Sequence, residues 1–302
     1  MSVSYGVVQG RLLPPVDDHH IQAFPTDRWR EEFMIASHVG CEHIEWIVTE
    51  STDEEFTLNP ITHLEPADLD YIRSLNVTID TLCFDGLMAH DMLTIGCETH
   101  EFRKLTESII TLVRNCSLLG VEKIVLPFLG KASIAFPTAR NNACNILETV
   151  AMRFVEKPLH PLGCNVFFSI ETDMRHDDVF SFAEDHECGV TFDTGNLLRL
   201  GYNLREHFDA YGSLIDNVHV KDMTCEFGHT TRLGTGLLAK HCKVLVDLRD
   251  MMLKSDHPCR FTFQTARDRM ITECELFRRN IVTMERIFAN DGQPITIVNV
   301  KC

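Results

Sequence analysis

No two cysteines are spaced C-x-x-C, no apolar run reaches the roughly 18 residues of a membrane helix, and no G-x-G-x-x-G follows the first strand-like segment. Positive charge is scarce: 28 Lys and Arg stand against 44 Asp and Glu, a formal net charge of −16, and no basic run offsets it. Such a surface repels phosphate backbones, so nucleic acid is excluded as a partner, while a local pocket for one small phosphate stays open. The opening MSVSYGVVQG lacks a basic n-region and a long apolar h-region. With no membrane span, the 12 scattered cysteines are expected to be reduced and buried in a cytoplasmic protein. No linker, low-complexity tract or short repeat divides the chain, which predicts a single domain over residues 1–302.

What is present is alternation. Eight short apolar, β-branched runs read as strands: 4–9, 41–47, 76–83, 122–128, 165–171, 189–193, 215–220 and 260–264. Several are apolar at consecutive positions, as strands covered on both faces should be. Segments of helical period lie between them. Over 99–119 the apolar residues Phe102, Leu105, Ile109, Leu112, Val113, Cys116 and Leu119 fall on one face, and Gly120 supplies a stop. Residues 137–157, 241–254 and 272–290 also read as helices, whereas the polar stretch 48–66 reads as a long loop. The expected architecture is α/β, one (β/α)8 TIM barrel; a doubly wound sheet is the alternative, without its glycine fingerprint.

In such a barrel the site forms at the C-terminal ends of the strands. The last four predicted strands end on Glu171, Asp193, His219 and Gln264. Two carboxylates, an imidazole and an amide oxygen around one rim suit a divalent metal ion, Mn2+ or Mg2+ first, with Zn2+ or Co2+ as alternatives. Taken singly, a residue of this kind at a strand end is more often a capped loop residue.

The succession ETD, DTGN, HVKD and a G-x-G loop (Gly234, Gly236), with GVVQGRLLPP, IEWI and LCFDGLMAHDML in the first third, resembles the xylose isomerase-like TIM-barrel superfamily. That group holds sugar (phosphate) isomerases and epimerases and relatives of the AP endonucleases. The resemblance spans nearly the whole chain and specifies fold and metal better than substrate. It implies metal ligation by Glu171, Asp193, His219 and Gln264, and a catalytic carboxylate at Glu171. It also places Asn196 where many members hold a substrate-contacting histidine, and Lys221 at the site mouth. The implied reaction is removal of a proton alpha to a carbonyl and passage through an enediolate, on a small carbohydrate substrate. Epimerases of the group have a second glutamate where this chain has Gln264, and an amide cannot carry the proton.

Four function classes follow. They are a metal-dependent isomerase or epimerase, a lyase or dehydratase on the same scaffold, an endonuclease (opposed by the charge and by the lack of extra histidines), and a non-catalytic sugar-binding relative. A homodimer is left open. Among the remaining candidates, Arg11 is read as contacting a substrate phosphate or carboxylate, or as a structural ion pair. Glu45 is read as a hydrogen-bonding partner of sugar hydroxyls, or as the acid that pairs Arg11. Asp85 and His90 follow the third strand, facing substrate or simply the loop surface. Arg232 is a candidate for an anionic substrate group, and Glu45, Asp85 or His90 for the missing acid/base role. His19 and His20 are read as exposed.

Overall fold

Eight parallel strands close on themselves, and their order around the ring follows the chain. The computed structural model describes residues 3–15, 22–49, 56–156, 166–224, 229–255, 259–268 and 270–293. The strands are β1 (Val3–Val8), β2 (His43–Ile47), β3 (Thr81–Cys83), β4 (Lys123–Phe128), β5 (Phe167–Thr172), β6 (Gly189–Asp193), β7 (Ile215–Val220) and, after a two-stranded excursion of β8 (Asp222–Met223) and β9 (Thr230–Thr231), β10 (Cys259–Phe263). β1 pairs in parallel with both β2 and β10, which seals the TIM barrel predicted from the sequence.

The helices are α1 (Trp29–Val39), α2 (Pro60–His63), α3 (Pro66–Arg73), α4 (His100–Leu119), α5 (Pro137–Glu156), α6 (His176–Asp185), α7 (Thr194–Arg199), α8 (Leu204–Tyr211), α9 (Cys242–Lys254) and α10 (Glu273–Ala289). α4 shows why the periodicity was readable. Thr99 caps it by accepting from Phe102 N at 3.0 Å, its apolar stripe from Phe102 to Cys116 is buried, and Gly120 ends it at φ 79°.

The pleat sorts side chains into two layers. Outward residues pack on helices: Trp46 lies 5.3 Å from the Trp29 ring and 6.0 Å from the Phe33 ring on α1, and Phe263 lies 5.9 Å from Phe277 on α10. Inward residues make a polar barrel lumen. His43 bridges Ser4 Oγ and Thr262 Oγ1, each at 3.0 Å, and Ser169 bonds Thr191 at 2.7 Å. Because Thr262 points inward, two residues further on Gln264 does too, and its N–H extends the ladder to Val220 O at 3.1 Å.

Two expectations are corrected. The stretch 48–66 is not all loop: Asn59 caps α2 by accepting from Ile61 N, and Pro60 and Pro66 occupy first helical turns, where a proline's missing N–H costs nothing. Residues 50–55 of that stretch, like His19 and His20, lie outside the described residues. The third strand is three residues long instead of eight, with an isolated bridge from Thr78 to His43 before it. The nine described cysteines are all free thiols, six of them buried, and no described helix is long and apolar enough to cross a membrane.

Candidate metal centre

Four consecutive strands deliver the site. β5, β6 and β7 carry Glu171, Asp193 and His219 in their last two positions, and the backbone just past β10 brings Gln264 beside them. All four are buried, with His219 fully so. One ligand atom from each of Glu171, Asp193 and His219 falls within a common 4.8 Å span. His219 Nδ1 lies 3.4 Å from Glu171 Oε2 and 3.6 Å from Asp193 Oδ2.

The other face of the imidazole explains its orientation. Glu45, inward on β2, sits 2.8 Å from His219 Nε2, and Asn217 Nδ2 donates to Glu45 Oε2 at 3.0 Å. With Nε2–H donating to Glu45, Nδ1 is the ring nitrogen turned toward the two carboxylates. A carboxylate behind a histidine is the usual way a metal-ligating tautomer is fixed. Glu45 thus pairs the histidine, in place of the Arg11 pairing considered from the sequence.

Asp193 has two duties. Its Oδ1 caps α7 by accepting from Asn196 N at 2.8 Å, and its Oδ2 meets Lys221 Nζ at 2.7 Å. Burial pushes this carboxyl up, but the Lys221 ammonium and His219 overcome it and hold it well below the usual carboxylate range. Asn196 Nδ2 donates to Glu171 Oε1, and burial and the Asp193 charge raise the Glu171 carboxyl above its ordinary value. Burial alone would lower His219, yet Glu45, Asp193 and Glu171 raise it well above a normal imidazole.

A divalent cation fits this constellation on two observations. His219 Nδ1 and Gln264 Oε1 are buried polar atoms without a hydrogen-bond partner among the described residues, a costly state that a bound cation would relieve. Charge agrees: the four carboxylates of Glu45, Asp85, Glu171 and Asp193 outnumber the basic groups of Lys221, Arg11 and His219 that face them. A divalent ion offsets such an excess of negative charge.

The other candidates divide. Asp85 begins a 3-10 turn directly after β3; burial and the neighbouring Glu171 push its carboxyl up to about 6, against the pull of Lys221, Arg11 and His219. Arg11 is half-buried and makes no ion pair among the described residues; it donates to Thr265 O at 3.2 Å and to Gln22 Oε1 at 3.3 Å, and burial lowers it to about 10. His90 and Arg232 are engaged elsewhere. His90 Nδ1 lies 2.9 Å from Glu101 on α4. Arg232 is an exposed ion-pair partner of Asp268, in a groove of about 260 Å³ against α10. Neither bonds to the cluster among the described residues.

Sequence reasoning missed Asn217, whose inward place two residues before His219 was the available signal. It also missed what Asp222 does. That buried carboxylate accepts from the N–H groups of Met223, Gly234, Gly236 and Leu238 at 2.8–2.9 Å, so the G-x-G loop wraps an aspartate. A Cβ on Gly236 would stand 2.2 Å from Met223 O.

No family model matches the chain, and no curated protein matches it. Solved structures do. The 3-keto-D-glucoside 4-epimerase YcjR from E. coli matches at TM-score 0.62 and 15% identity, over 94% of this chain and 100% of its own. D-psicose 3-epimerase from Clostridium cellulolyticum, solved with D-tagatose, matches at TM-score 0.66 and 9% identity, over 95% and 99%. The IolI protein with a bound zinc atom matches at TM-score 0.62 and 14% identity, over 95% and 99%. Endonuclease IV from Thermus thermophilus is a further neighbour. The chain shares its closed TIM-barrel fold with these xylose isomerase-like structures.

Proposed function

We propose that this chain is a divalent-metal-dependent isomerase or epimerase of a sugar, sugar phosphate or related ketose. The observation that carries the reading is the buried Glu171–Asp193–His219 cluster with His219 Nδ1 left without a hydrogen bond. Neighbours of this fold described as sugar epimerases support it.

Glu171, Asp193, His219 and Gln264 would hold the ion, in the manner of Mn2+ or Mg2+, with Zn2+ or Co2+ as alternatives. The bound ion supplies Lewis-acid polarisation of a substrate carbonyl and its neighbouring oxygen. The protein's own groups do the rest. Glu171, raised by burial, removes the proton alpha to the carbonyl. Asn196 holds one Glu171 oxygen and so fixes which oxygen faces the substrate. Lys221, ion-paired to Asp193, keeps that carboxylate charged and offers an ammonium at the mouth. Arg11, with no carboxylate partner among the described residues, is the cation available to a substrate phosphate or hydroxyl.

Gln264 gives a second reading a specific basis. An amide carries no proton, and a lyase or dehydratase needs only one base to begin. Metal analysis of protein purified without chelators tests the shared premise. About one Mn, Mg, Co or Zn per chain is expected, lost in Asp193→Ala and bound more tightly in Gln264→Glu. Absence of metal in every variant after reconstitution overturns the enzyme reading and leaves a sugar-binding relative. Proton exchange in D2O then separates isomerase from lyase, since only the isomerase returns deuterated substrate alongside a rearranged product of the same formula.

A further inference from the structure

The proposed reaction, if it inverts a carbon centre, needs a second proton carrier, and Gln264 cannot be one. Three titratable side chains close to the rim in sequence could replace it, and the structure separates them. Glu45 is committed to His219 Nε2 and to Asn217. His90 is committed to Glu101 on α4. Asp85 is different. It is half-buried, and among the described residues its carboxylate makes no hydrogen bond or salt bridge.

Asp85 is nonetheless inside the electrostatic reach of the metal centre. Glu171 from β5 repels it, and Lys221 and His219 from β7 and Arg11 from the end of β1 attract it. The ring order places it. Going round from β1 through β10, β7, β6, β5, β4, β3 and β2, the strand diametrically opposite β7 is β3. Asp85 therefore opens the turn that faces His219 across the barrel mouth. A ligand resting against the Glu171–Asp193–His219–Gln264 half of the rim would turn its other face to the half that carries Asp85.

We propose that Asp85 is the second proton-transfer group of this site, on the half of the rim opposite the four proposed ligands, so that the chain inverts a stereocentre next to a carbonyl. This rests on the metal-dependent reading above and selects epimerisation within it. Glu171 takes the proton, and the C–H electron pair becomes the C=C bond while the carbonyl pair moves onto oxygen. Asp85, protonated, then delivers its proton to the opposite face of the same carbon, and the carbonyl re-forms. Solvent reprotonates Asp85 and receives the proton held by Glu171, so nothing is oxidised or reduced. The missing carboxylate at Gln264 is supplied from the far side of the barrel.

The test uses Mn2+-loaded protein in D2O with D-fructose, D-tagatose, D-allulose and D-xylulose as probes. Wild type is expected to put deuterium on the carbon alpha to the carbonyl and to form the epimer. In Asp85→Asn, deuterium return to recovered substrate should stay within about threefold while epimer formation falls about 100-fold or more. Adding Gln264→Glu to Asp85→Asn should restore part of the epimer. Epimer formation by Asp85→Asn at the wild-type rate, or equal loss of exchange and product, overturns the assignment alone. Absence of exchange by wild type on every probe sinks the metal-dependent reading and this inference with it. A readout independent of turnover is 13C NMR of metal-free protein labelled at the aspartate carboxyl. The resonance absent from Asp85→Asn should titrate near 6 and move down in Glu171→Gln. A midpoint in the ordinary carboxylate range would also reject the assignment.

Discussion

His219 is gripped on one nitrogen and open on the other, and both facts trace to residues far away in sequence. Glu45 and Asn217 fix the ring, so they set which nitrogen faces the candidate metal site without joining it. Glu45→Gln keeps the shape but weakens the acceptor of Nε2–H. Metal affinity should fall about 10- to 100-fold while the fold is retained, read by competition with a chelator and by circular dichroism. An unchanged affinity would mean that Glu45 serves the substrate instead. The strand-end residues were legible because a barrel concentrates its chemistry there, and three of the four come together as a buried cluster. The inward turn of Gln264 was not legible, since a register slip of one residue reverses it; the bond of Thr262 to His43 is what decides it. Nor could the sequence choose between Arg11 and His219 as the partner of Glu45. That choice depends on which strands are neighbours across the lumen.

Among the elements, the connection after β7 is the one most exposed to a single change. Asp222 gathers four backbone N–H groups onto one carboxylate and so sets where β8 and the glycine loop leave the rim beside Lys221. In Asp222→Ala those donors lose their acceptor at once. A loss of about 3 kcal/mol is expected, measured by urea denaturation, with Asp222→Asn recovering part of it. A change under about 1 kcal/mol would show that the loop holds itself. The sequence marked this region only as a glycine turn, because the need for Gly236 arises from the close approach of Met223 O. The stretch 48–66 was misread for a related reason. Its helix α2 has four residues, too few to show an amphipathic period, and is held by local devices. Asn59 caps α2 and also accepts from Trp46 Nε1 at 3.0 Å, donating in turn to Ile47 O at 2.9 Å.

At the level of the whole molecule, the lumen carries a pH liability. His43 sits inside the barrel between Ser4 and Thr262, and burial, with Arg260 and Lys123 nearby, lowers it to about 3. Its folded value is below its unfolded value of 6.5, so the neutral form is the one the fold accepts. Its contribution is complete above pH 6.5 and is lost as pH falls towards 3, because the unfolded chain takes up a proton that the barrel refuses. One such proton is worth about 1.4 kcal/mol per pH unit. Between pH 6.5 and 5 wild type should therefore lose about 2 kcal/mol relative to His43→Gln, measured by denaturant titration at both values. Parallel pH profiles for the two proteins would refute this.

The closure of β1 on β10 has a consequence in time. The first barrel strand emerges from the ribosome before the other seven, and its closing partner is the last of those seven. Until then the nascent sheet has two open edges, β1 and whichever strand was made last, each offering unpaired backbone groups to any strand nearby. The rim that carries the candidate metal cluster is assembled from the later strands. A growing polypeptide is therefore sticky for as long as the barrel is being made, and its candidate metal cluster is complete only when the ring is about to shut.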